Sequence, residues 1–217
     1  MRFGSSHHVQ SRHLRGAIHG WVRAGWVIFA HIGLPCESWT RARNRPNGPQ
    51  PLRDATAVMG LAQLRNENER YKINLGNLTL AFSCQVAMSL HRWHCGFVIE
   101  NPWTSWLWLA PQVSHLRQQR GVRLVRTDMC QWGTPWRKAT GLLTNANVSY
   151  VERRCHQHGK LCSRSHRPHV VLEGRDASGA CLTRQAEVYP RGLARNLARM
   201  VDAHRKEEAA QVWQAPE

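Results

Sequence analysis

Short apolar runs alternate with longer stretches of helical periodicity, and this alternation constrains the fold more than any other feature of the chain. WVIFAHI (26–32), GFVIEN (96–101), GVRLVRTD (121–128) and GLLTN (141–145) are short and nearly continuous. Runs of that kind suit strands buried on both faces. HVVLEG (169–174) is a fifth candidate. Between them, residues 11–24 place Leu14, Ile18, Trp21 and Val22 on one helical face, and Gly25 ends that helix. From 62 to 93, Leu75, Leu78, Phe82, Val86, Leu90 and Trp93 recur at three or four residues and predict one apolar stripe. A last helix over 191–205 carries Leu193, Leu197, Met200 and Val201 on one side and Arg191, Arg195 and Arg199 on another. Residues 41–56, rich in Arg, Pro, Gly and Asn, read as a loop. Strands alternating with helices predict an open α/β sheet. The expectation is one domain over 1–205, with an irregular, basic, Cys/His-rich insertion at 150–170 and a frayed tail at 206–217.

Composition narrows the partner. With 30 Lys+Arg against 14 Asp+Glu the formal charge is +16. Such an excess favours a polyanion, and DNA is the expected partner. Ten tryptophans add surfaces on which bases can stack. The seven cysteines are odd in number and irregular in spacing, and the polar N-terminus lacks an apolar signal core. A reducing intracellular compartment, nucleus or cytoplasm, is therefore expected rather than a disulfide framework. The longest uncharged stretch, INLGNLTLAFSCQVAMSLH, contains Asn74, Asn77, Gln85 and His91 and is too polar to span a membrane.

In open α/β sheets chemistry gathers at the carboxyl ends of strands. PCESWT follows the first run and ENPWTSW the second. Cys36 and Glu100 should therefore share one edge of the sheet, although 64 residues apart in sequence. Taken singly these residues stay ambiguous. Cys36 can be a packing residue, a metal ligand or a nucleophile. Glu100 can cap a helix beginning near Thr104, Asn101 can be a turn residue before Pro102, and Arg137 with Lys138 can be an exposed basic pair.

Together, LPCESWT, VIENP, DMCQWGTPWRKATGLLTN and AEVYPRGLARNLARMV resemble, in order, motifs of the DNA cytosine-5 methyltransferases, over roughly 26–201. The resemblance implies a partial doubly wound, Rossmann-like methyltransferase sheet. It implies Cys36 as the nucleophile that attacks cytosine carbon 6 and Glu100 as the carboxyl group at ring nitrogen 3. Arg137 becomes a third catalytic group, a cation holding the base or phosphate. Pro35, Asn101 and Lys138 become substrate-binding residues, and Tyr189 and Pro190 lie towards the methyl donor. The family binds S-adenosylmethionine with a glycine-rich loop ahead of the Pro-Cys strand, and here only 25 residues precede Trp26. The expectation is a truncated donor half and weak or absent S-adenosylmethionine binding by this chain alone: a fragment, a domain whose missing half a partner chain supplies, or one that is no longer an active methyltransferase.

The insertion CHQHGKLCSRSHRPH offers a second chemistry. Cys155, His158, Cys162 and His166 place four sulfur and nitrogen ligands within twelve residues, the donor types that zinc prefers. Alternatively the loop is a basic surface that contacts phosphate. A rival to the enzyme reading is thus a non-catalytic nucleic-acid-binding module, stabilised by zinc.

Overall fold

Helix boundaries follow from capping. In a computed structural model that describes residues 9–44, 49–63, 66–156, 161–174 and 182–212, Ser11 accepts a hydrogen bond from the Leu14 amide and starts helix α1, Arg12–Arg23. Gly25 adopts a positive φ of 73° just past its end, as the sequence predicts. Asn66 accepts from the Glu69 amide at 2.9 Å and starts α2, Glu67–Arg92. Glu67 and Glu69 at its start and His91 and Arg92 at its end complement the helix dipole. Its buried face is wider than the predicted stripe: Ile73, Gly76, Leu80, Ser83 and Ala87 join Phe82, Val86 and Leu90, whereas Leu78 and Trp93 are exposed. The cause is packing on several sides, because α2 contacts α1, a third helix and the sheet.

Four strands form an open mixed sheet: β1 Phe29–Gly33, β2 Gly96–Pro102, β3 Arg123–Asp128 and β4 Ala139–Thr144, in the order β1-β2-β4-β3. β1 and β2 are parallel, joined by α2, whereas β4 runs antiparallel to both neighbours. This mixed pairing departs from an all-parallel doubly wound sheet. The loop 129–138 is too short for a crossover, so β4 returns beside β3. Phe97, Val98 and Ile99 of β2 are fully buried, as are most residues of β4. β1, expected to be buried on both faces, is instead an edge strand with His31 and Gly33 exposed. Residues 169–174 form no strand; Val170 and Val171 are 50% and 68% exposed. The outer edge of β3 is already engaged, with the Asp128 amide donating to the Arg153 carbonyl at 2.8 Å.

Helices cover both faces. Phe97, Ile99 and Leu143 pack with α1, α2 and α3, Pro111–Arg117. Val98, Val125 and Leu142 pack with Leu193 and Met200 of α4, Arg191–Val212. α4 continues seven residues past the predicted boundary at 205, because KEEAAQV is rich in helix formers. Among the described residues no helix is long and apolar enough to cross a membrane.

Candidate functional site

The turn that presents Cys36 is built from behind. After β1 the Leu34 amide donates to the Glu100 carbonyl at 3.4 Å, and Asn101 Nδ2 donates to the Leu34 carbonyl at 3.0 Å. The Cys36 carbonyl then accepts from the amides of Trp39 and Thr40 at 3.0 and 2.9 Å, which closes the turn. Ser38 and Trp39 are buried against α2 at Gly76, where a Cβ would lie 2.5 Å from Ser38 Oγ. Arg53 locks this arrangement. Its fully buried guanidinium lies 3.4 Å over the Trp39 ring. It donates to the carbonyls of Ser38, Val58 and Ile73, to Ser38 Oγ and to Asn77 Oδ1, all at 2.8–3.2 Å. Burial pulls its pKa down to about 10, still protonated at neutral pH. Cys36 and Pro35 remain exposed in front.

Register does the rest. Gly33 pairs with Glu100, so the end of β1 and the half-buried Glu100 side chain share the carboxyl edge of the parallel pair. Cys36 lines a cavity of about 560 Å³ with Arg137, Lys138, Glu187 and residues 169–172. Glu100 stands beside that cavity rather than in its wall, close enough for its charge to act on Cys36. Burial raises the Cys36 pKa, Lys138 opposes this, and the carboxylates of Glu100 and Glu187 add to it. Burial also raises Glu100, offset by Lys138 and by a hydrogen bond donated by the Tyr189 hydroxyl. Tyr189 is pushed well up by burial and by Glu100, and its ring meets His31 edge-on at 5.5 Å.

The expected residues thus divide. Cys36, Glu100, Lys138 and Tyr189 come together. Lys138 is a cation whose charge reaches both Cys36 and Glu100. Arg137 borders the cavity, with its Nε 3.7 Å from Asp128 Oδ2. Asn101 is fully buried and braces the turn instead of facing the cavity. Pro190 starts α4, its carbonyl accepting the Ala194 amide. Glu100 caps no helix: Ser105 caps the 3-10 turn Trp106–Leu109 that leads into α3. A second cavity, of about 690 Å³, lies between α2 and α3, and none of the expected site residues lines it.

A Cys₃His group adjoins the first cavity. Cys130, Cys155, Cys162 and His169 converge so that their ligand atoms all lie within 4.8 Å of one another, an arrangement that can hold a metal ion. Cys155 and Cys162 belong to the expected set. His166 does not; it is exposed, at a positive φ of 55°. His158 lies outside the described residues. Cys130 and His169 take their places. Asp128, fully buried at the end of β3, organises the group: its carboxylate takes two donors of Arg126 and, at 2.7 Å, the amide of Cys155. No known protein family, curated protein or solved structure matches this chain.

Proposed function

We propose that the chain is a domain of the DNA cytosine-5 methyltransferase type, one that binds DNA and attacks a flipped-out cytosine. The observation that carries this reading is the meeting of Cys36, Glu100 and Lys138 at one carboxyl edge of the sheet. In the attack the Cys36 thiol gives its proton to water and Sγ bonds to carbon 6 as the π bond between carbons 5 and 6 breaks and its pair shifts towards carbon 4, which makes carbon 5 enamine-like. Electron density moves to ring nitrogen 3, where the Glu100 carboxyl group donates a hydrogen bond. A carboxyl whose pKa is raised by burial holds that proton closer to neutral pH. Lys138 is poised to favour the thiolate as it forms. The +16 charge suits the phosphates that hold the strand while the base is turned out.

The methyl donor fits the described residues poorly. Tyr189, expected on the donor side, spends its hydroxyl on Glu100, and Pro190 is the entry to α4. We therefore derive no step through S-adenosylmethionine and assign its binding to a partner chain or to residues outside those described.

Nucleophilic attack is testable without the donor. Once Sγ is bonded to carbon 6, carbon 5 can take a deuteron from solvent, lose its original proton and release the thiolate. Cytosine-containing DNA incubated with the chain in heavy water should exchange its carbon-5 hydrogen. The exchange should vanish in Cys36→Ser and weaken by about 10²-fold or more in Glu100→Gln. DNA binding without exchange, in protein whose Cys36 is intact, would replace this reading with the non-catalytic nucleic-acid-binding module.

A further inference from the structure

The geometry points to a structural zinc ion held by Cys130, Cys155, Cys162 and His169, which braces one wall of the Cys36 cavity. Tetrahedral zinc with Zn–S near 2.3 Å and Zn–N near 2.0–2.1 Å requires S···S edges of about 3.8 Å and S···N edges of about 3.6 Å. Two of the six edges are 3.9 Å between Cys155 and Cys162 Sγ and 3.7 Å between Cys155 Sγ and His169 Nε2, and all six are within 4.8 Å. A disulfide would demand about 2.0 Å between sulfurs. The three cysteines are 1–5% exposed and the chain supplies all four ligands, the mark of a structural site rather than a catalytic one.

The surrounding shell is that of thiolates. Gln131 Nε2 donates to Cys130 and Cys162 Sγ at 3.6 and 3.8 Å. The Ser163 amide and hydroxyl donate to Cys155 Sγ at 3.5 and 3.6 Å. Such N–H and O–H donors fix and tune metal-bound sulfur. Zn²⁺ held by three thiolates and a neutral imidazole leaves the site with one net negative charge, within a segment that also carries Arg153, Arg154, Arg164 and Arg167.

Two connections tie the site to the cavity. His169 belongs both to the ligand set and to the cavity wall, and the next residue, Val170, donates its amide to the Pro135 carbonyl at 2.9 Å. Asp128 receives the Cys155 amide on one side and faces Arg137, another wall residue, on the other. The run 169–172, with Val170 and Val171 exposed, is thus anchored at one end by a metal ligand. Neither connection depends on the methyltransferase reading.

The test uses the full chain purified from zinc-supplemented medium. Mass-spectrometric metal analysis should find about one zinc per chain. Cobalt substituted for it should give the visible bands of a tetrahedral site with thiolate charge transfer. Cys130→Ser, Cys162→Ser and His169→Gln should each weaken retention by at least about 100-fold. His169→Cys should restore it as a four-cysteine site, and His166→Gln should leave it unchanged. Folded protein that holds no zinc, or a different metal, overturns the site. Loss in His166→Gln with retention in His169→Gln overturns the ligand assignment. For the brace, alkylation is read peptide by peptide before and after chelation. Cys36 should react severalfold faster without metal while Cys84, buried in α2, stays protected. An unchanged Cys36 rate, or exposure of Cys84 as well, overturns the local brace.

Discussion

Cysteines on the two sides of one cavity wall meet opposite surroundings. Cys36 is exposed, feels the charges of Glu100 and Glu187, and is held towards the neutral thiol by partial burial and by both carboxylates, opposed by Lys138 and by a hydrogen bond from its own backbone amide. Cys162 is buried, and burial alone would raise it too. The backbone amides of Ser165 and Arg164, with the Ser165 hydroxyl, outweigh that and bring it down to about 6, whereas its neighbour Cys130, with the Gln131 side chain as its donor, is pushed up to about 12 by burial and by the neighbouring thiols of Cys155 and Cys162. Burial alone therefore does not decide whether a sulfur is ionised; the number of donors aimed at it weighs against burial. An accessible thiol with few donors suits a group that is activated only when a substrate arrives. A closed set with donors suits a permanent ligand sphere.

Each side also has its own buried charge as foundation, and breaking one should produce the largest effect. Arg53 supports the Cys36 turn with hydrogen bonds to five acceptors. Arg53→Ala should cost about 3 kcal/mol or more, because several buried acceptors lose their partner at once. Chemical denaturation measures this. Arg53→Lys should recover part of the loss but not the flat contact with Trp39. If Arg53→Ala cost less than about 1 kcal/mol, the turn would have to be held by the strand-end hydrogen bonds alone.

What the sequence reveals of these two sides differs for a physical reason. Parallel neighbouring strands end at one edge, so Cys36 and Glu100 can be brought together from the positions of two apolar runs alone. The same rule extends to Cys130, which follows Asp128 at the end of β3 and lies outside the Cys/His-rich window 155–166. His169 is hidden because its run, HVVLEG, carries the pattern of a strand. Those valines border a cavity instead, and apolar pattern reports a contact with something, not which contact. The direction of β4 is legible in the ten-residue connection 129–138, which leaves no room for a crossover helix. Arg53 is illegible: it sits in a polar, proline-rich segment, and nothing local tells a buried arginine from a solvated one.

A middle-sized effect probes the electrostatics around Cys36. Glu100→Gln and Glu187→Gln each remove a charge that disfavours the thiolate, so alkylation of Cys36 at pH 8 should speed up severalfold, more for Glu100, the stronger of the two influences. Lys138→Met should slow it. If the rate follows none of these changes, the resting contrast between Cys36 and the metal group is one of access rather than charge. Peptide mass spectrometry with a small alkylating agent separates Cys36 from the other sulfurs.

The smallest effect concerns Glu100 and the pH dependence of stability. Its folded pKa is raised above the ordinary value of 4.5, first by burial, with Lys138 and Tyr189 pulling the other way. Below the unfolded value the group is protonated in both states and costs the fold nothing. As pH rises through the unfolded and then the folded value, the unfolded chain ionises first and the native state is progressively disfavoured. Above the folded value the cost is constant. Unfolding free energies of wild type and Glu100→Gln, measured from pH 4 to pH 8, should therefore move apart in favour of the glutamine variant and then run parallel. Taking the difference cancels every other titrating group that the substitution leaves alone. The opposite slope would mean that Lys138 and the Tyr189 hydroxyl outweigh burial, and that Glu100 rests as a stabilised carboxylate. It would then have no proton to donate at ring nitrogen 3 near neutral pH, and the cavity would resemble its metal-binding neighbour, a site organised around a fixed negative charge.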